Sequence, residues 1–98
     1  MDDLLKRVRN DGDAIKDIEN QTEELCLRAV AQKGKVLRYV KNQTPLICAV
    51  AVDSDPNALQ YAKYQPEKLC IAAVRFHGKA LQYVRHQTHA ICLAAVKN

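Results

Sequence analysis

Glycine, serine and aromatic residues are scarce in this chain, and each shortage closes off a class of function. The three glycines stand apart from one another, so there is no glycine-rich loop to cradle a phosphate. The one serine, Ser54, sits in Asp-Ser-Asp-Pro (residues 53–56), a turn signal ahead of a helix and not a nucleophile motif. With aromatics at 5%, there is no stacking platform for single-stranded nucleic acid beyond three regularly spaced tyrosines. No apolar run approaches the ~18 residues of a membrane span. The opening MDDLLKRVRN lacks the apolar core of a secretory leader. These shortages predict a cytoplasmic protein that is not an enzyme, binds no cofactor or metal, and does not engage a membrane.

What is present is a mixture suited to a small soluble core. The chain has 98 residues, 48% hydrophobic and 27% charged, which predicts one domain over residues 1–98. The net charge of +4 conceals a change of sign. Residues 1–24 carry eight acids against four bases (net −4), and residues 25–98 carry eleven bases against three acids (net +8). That asymmetry points to a basic working surface with an acidic end.

The dominant feature is a period of 22 residues. Displaced by that interval, Cys26, Cys48, Cys70 and Cys92 coincide. So do Gln21, Gln43, Gln65 and Gln87, and Tyr39, Tyr61 and Tyr83. Further back, Leu4, Val8, Gly12 and Ile15 take the places of Cys26, Val30, Gly34 and Leu37. Each unit holds two helical patterns. The longer has apolar residues at 25, 26, 29 and 30, recurring in every later unit, which is one face of a 3.6-residue helix. Thr22, Thr44 and Thr88 stand where N-caps belong, and Pro45 suits a first turn. Gly12, Gly34, Pro56 and Gly78 separate it from a short pattern: Val36, Leu37 and Val40, then Ala58, Leu59 and Ala62, then Ala80, Leu81 and Val84. About seven residues cannot hold a helix alone in water, so the short pattern needs neighbours on both sides. The predicted fold is all-α: an α-solenoid of about four and a half 22-residue helix-turn-helix repeats. The units are a partial, charged cap at 1–20, then 21–42, 43–64 and 65–86, and a partial unit at 87–98. The final AICLAAVKN reads as an interior helix that leaves Leu93 or Val96 exposed, so that either the array belongs to a longer one or this end meets another chain in a homodimer.

The phrases NQTPLICAVAV, PEKLCIAAVRFHGKALQYV and HQTHAICLAAVKN resemble the short repeats known as domain of unknown function 4116. Those repeats occur in proteins of giant viruses and of bacteria. The resemblance is strong from Gln21 onward, weak before it, and departs from the pattern at Leu4, Asp17 and Tyr64. It implies helical repeats and no established activity, and it suggests a regulator or inhibitor encoded by a virus or mobile element.

Residues with chemical potential divide on spacing. Cysteines at equal phase on adjacent helices lie ~8–10 Å apart, too far for a disulfide, whose Cα atoms lie within about 7 Å. No pair has the C-x2-C spacing of a zinc site. They read as small buried hydrophobes. His86, His89 and Cys92 are close in sequence, but a core-facing thiol and a surface imidazole do not converge on one ion. The glutamines are placed to bond backbone groups left open at helix ends. The basic residues are the functional lead. Lys35, Arg38 and Lys41 read as i, i+3, i+6 on one short helix, with Lys63, Lys79 and Arg85 following in later units. Together with Tyr39, Tyr61 and Tyr83 they predict a stripe that binds a macromolecular partner. The expected partner is a protein with an acidic surface, and the alternative is nucleic acid.

Overall fold

The chain alternates α-helices with 3-10 helices, and the computed structural model describes residues 2–96 of it. The order is α1 (Asp2–Asn10), η1 (Gly12–Asp17), α2 (Glu23–Gln32), η2 (Gly34–Tyr39), α3 (Pro45–Ser54), η3 (Pro56–Tyr61), α4 (Glu67–Phe76), η4 (Gly78–Tyr83) and α5 (His89–Val96). No strand occurs among the described residues. Residue 1 of the predicted first unit and residues 97–98 of the last lie outside them.

Helix starts follow from side-chain chemistry. Thr22 Oγ1 accepts from Leu25 N at 3.2 Å, and Thr44 Oγ1 accepts from Ile47 N at 3.2 Å. Thr88 Oγ1 accepts from Ile91 N at 3.3 Å. Each closes one of the donors that a helix N-terminus leaves open. α4 departs from this pattern, with Pro66 at its N-cap and no side-chain bond there. The apolar face read from the sequence is the core: Leu25, Cys26, Ala29 and Val30 on α2 are buried, as are Ile47, Cys48, Ala51 and Val52 on α3. Leu37 and Leu59 are fully enclosed beneath the 3-10 helices. Each α-helix packs on the next α-helix and each 3-10 helix on the next 3-10 helix. The molecule measures 45 × 20 × 16 Å.

The short helical pattern takes 3-10 form over six residues, longer than such helices usually run. Glutamine side chains supply what the 3-10 geometry leaves unpaired. Gln43 Nε2 donates to Leu37 O of the preceding unit (3.4 Å) and to Tyr61 O of its own (2.9 Å). Its Oε1 accepts from Lys63 N at 2.7 Å and faces the Cys48 thiol at 3.2 Å. Gln21 repeats the arrangement with Ile15 O, Tyr39 O and Lys41 N, and Gln65 with Leu59 O, Tyr83 O and Arg85 N. One carboxamide therefore ties the end of one 3-10 helix to the end of the next.

Gly12 and Gly34 have another role. No glycine adopts positive φ among the described residues. A Cβ on Gly34 would overlap Ala51 O, and one on Gly12 would come within 3.0 Å of Ala29 O. Glycine lets the starts of η1 and η2 press against the last turns of α2 and α3.

Truncating a glutamine bridge should therefore cost more than its exposure suggests. Gln43→Ala leaves the Tyr61 carbonyl and the Lys63 amide without their side-chain partner and should destabilise by about 2–3 kcal/mol. Gln60, whose Nε2 bonds only the local Asn57 carbonyl, should tolerate alanine within about 0.5 kcal/mol. Urea denaturation of both variants beside the parent measures the difference.

Candidate binding surfaces

Two surfaces stand out: the basic stripe that the sequence indicates, and a crevice that it did not indicate. In the stripe, Lys35, Arg38, Lys63 and Lys79 are exposed, and so is Lys41. Lys35 and Arg38 stand three residues apart on η2 and share a face, because a 3-10 helix has three residues per turn. Lys41 does not continue that helix as the sequence spacing suggested. The helix ends at Tyr39, Val40 is extended, and the Lys41 amide is held by Gln21 Oε1 at 2.9 Å. The glutamine bridge stops the helix and puts Lys41 on the following turn. Lys63 and Arg85 occupy the same turn in their units.

Tyr39, Tyr61 and Tyr83 are half-buried, each closing its 3-10 helix. Arg38 ties two of them together. Its Nη2 donates to the Tyr39 hydroxyl at 2.7 Å, and its guanidinium lies 4.7 Å from the Tyr39 ring centre and 6.0 Å from that of Tyr61. These are cation–π distances. Arg85 is exposed as well, and its Nη2 donates to Ala62 O (2.7 Å) and Lys63 O (3.0 Å) of the preceding unit. Lys33, beside the stripe, pairs with Asp13 at 3.0 Å. Lys35, Lys41, Lys63 and Lys79 have no acidic partner among the described residues.

The crevice lies between α3 and α4 and encloses about 840 Å³. Val50 of α3 and Leu69, Ala72 and Phe76 of α4 give it apolar walls, and Asp53 and Asp55 add carboxylates. Phe76 is 81% exposed. A sequence signal for it existed. Along the 22-residue period Phe76 falls where Gln32 stands, and Pro56 falls where Gly12 stands.

The cysteines are free thiols; Cys26, Cys48 and Cys70 are buried and Cys92 is partly exposed. Burial pushes the Cys26 thiol above its ordinary range, and Glu23 adds to that. Burial does the same at Cys70, where Arg85 partly offsets it and Glu67 adds to it. No cluster of three histidine, cysteine, aspartate or glutamate side chains is placed to hold a metal among the described residues. No helix there is long and apolar enough to cross a membrane. No family model, no curated protein and no solved structure matches the chain.

Thiol chemistry gives a direct check. The folded chain keeps the Cys26 and Cys70 protons that the unfolded chain releases above pH ~8.5. Their contribution to stability is complete below that pH and is lost as pH rises through the elevated folded values. Iodoacetamide at pH ~8 should alkylate Cys92 first and leave Cys26, Cys48 and Cys70 protected until denaturant is added, as mass spectrometry would read.

Proposed function

We propose that this chain is an α-solenoid of about four and a half 22-residue repeats, a non-catalytic scaffold that docks onto an acidic protein surface. The solenoid reading rests on elements whose α-helices begin at residues 23, 45, 67 and 89, and on packing of like upon like. The 45 Å length also agrees with four and a half units spaced at a helix-packing distance of ~8–10 Å. The resemblance to the 4116 repeats fits the same architecture, and with it a virus- or mobile-element-encoded regulator or inhibitor working in the cytoplasm.

One observation carries the function. Lys35, Lys41, Lys63 and Lys79 are exposed along successive units without carboxylate partners among the described residues, beside half-buried tyrosines, two of which Arg38 organises. Cations carried on successive units match an extended anionic partner. The tyrosines add amphipathic contact area at low entropic cost. Arg85 contributes chiefly by holding the turn that presents Lys63. Acidic protein is favoured over nucleic acid because few exposed aromatic faces accompany the cations.

Fluorescence anisotropy with a labelled glutamate-rich helical peptide tests this reading against a DNA duplex. At ~50 mM salt the peptide should bind, and Lys35→Glu with Arg38→Glu should weaken it about tenfold with helicity unchanged. Tighter binding to the duplex, falling steeply with salt, would move the assignment to nucleic acid.

A homodimer through α5 is the second reading, favoured by Leu93 at 44% and Val96 at 77% exposure. Light scattering should then report a dimer that Leu93→Glu converts to monomer. A parent protein that stays monomeric at high concentration would remove this reading.

A further inference from the structure

We propose that the α3–α4 crevice is a second binding site, and that its occupant is an amphipathic segment of a partner polypeptide with an apolar face flanked by lysine or arginine. The inference goes beyond the basic stripe, because this site lies between α-helices and carries the opposite charge.

The first observation is a clamp that the chain builds at one joint and omits at another. Between the first two units, Gln32 accepts from the Gly12 amide and donates to the Arg9 carbonyl. That carboxamide pulls the C-terminal turn of α2 against the start of η1, and Gly12 leaves room for the approach. Two periods later the pair is Pro56 and Phe76. Proline has no amide hydrogen to donate, and phenylalanine has no carboxamide to receive it. Proline also carries a Cβ where glycine had allowed backbone contact. Both halves of the clamp are missing at the same joint, and the crevice opens there.

The second observation is what lines the gap. A joint that is merely loose would be expected to bear polar residues, as Asn10, Gln32 and Ser54 do at the phase of Phe76. Instead Val50, Leu69, Ala72 and Phe76 form an apolar wall, and Phe76 is left 81% exposed. A large exposed aromatic side chain beside an apolar cleft is the usual anchor of a binding surface.

The third observation selects the occupant. From residue 25 onward the chain has three acids, and two of them, Asp53 and Asp55, line this crevice. Among the described residues no lysine or arginine lines it, and His77 is its one basic side chain there. Asp55 also caps η3, its Oδ1 accepting from Asn57 N at 3.0 Å, so its carboxylate is fixed in place. A local acidic site on a basic molecule selects a cationic segment with apolar side chains. A volume of about 840 Å³ takes several such side chains.

The test uses the full chain and a fluorescein-labelled amphipathic helical peptide made only of leucine and lysine, read by anisotropy. The parent protein should bind it. Pro56→Gly with Phe76→Gln rebuilds the Gly12–Gln32 clamp and should weaken binding about tenfold or more. Asp53→Lys, which leaves the Asp55 cap in place, should weaken it about fivefold through charge alone. Lys35→Glu with Arg38→Glu, the pair that tests the stripe, should leave it within about twofold. Failure of one site is thus separable from failure of the other. Should the double variant not fold by circular dichroism, Phe76→Ser, bearing the residue found one period earlier, replaces it with the same expectation. Undiminished binding by the folded variant, or no binding by the parent, would overturn the proposal. A parent dimer abolished by the closing substitutions would overturn it too, assigning the crevice to a second copy.

Discussion

A six-residue 3-10 helix cannot satisfy its own ends, and the protein solves this with one glutamine side chain per joint. Gln21, Gln43 and Gln65 each donate to two carbonyls on successive 3-10 helices and accept an amide from the turn that follows. Both donors and the acceptor of the carboxamide are used across the joint. Hydrophobic burial draws the units together, but it is indifferent to register. The glutamine fixes register, because its bonds form only when two helix ends stand at one separation. The cysteine five residues on belongs to the same device: Cys26 and Cys48 are buried and small, and their thiols face the Gln21 and Gln43 carbonyl oxygens. What first looks like a cysteine framework is the apolar backing of a glutamine ladder.

The rest of the surface follows from that ladder. The glutamines hold the amides of Lys41, Lys63 and Arg85 just past the tyrosines that end η2, η3 and η4, and so place a basic residue on each following turn, Arg85 bonding back to the preceding unit. The stripe is thus a consequence of how the joints are made. The accessory clamp between Gly12 and Gln32 holds one joint, and at the next Gly34 lets η2 meet the last turn of α3. Where proline and phenylalanine replace the clamp, α3 and α4 part and expose an apolar wall carrying two carboxylates. One fold thereby offers a basic face on its 3-10 side and an acidic, apolar cleft between two α-helices.

Much of this was legible in the residues. The 22-residue period located the α-helices, the threonine caps located the starts of α2, α3 and α5, and the apolar positions named the buried faces of α2 and α3, whereas on α5 Ile91 and Ala94 are buried and Val96 is exposed. The 3-10 form was not legible, because Val36, Leu37 and Val40 fit either helix and the choice is made by a glutamine in a neighbouring unit. For the same reason Lys41 seemed to continue a helix that ends before it. Arg85 is the exposed cation that the sequence indicates, but its bonds to the Ala62 and Lys63 carbonyls, more than twenty residues away, were not legible. The crevice left a trace in the exchange of Gly12 and Gln32 for Pro56 and Phe76, which gains meaning only once the first pair is seen to bond.

The central claim, that glutamine carboxamides hold successive units in register, is tested most directly by amide hydrogen exchange at single residues. In the parent protein the Lys41, Lys63 and Arg85 amides should exchange slowly although their side chains are exposed. Gln43→Ala should release the Lys63 amide and leave Lys41, held by Gln21, protected. Fast exchange at all three positions in the parent, or no change at Lys63 in the variant, would contradict the account.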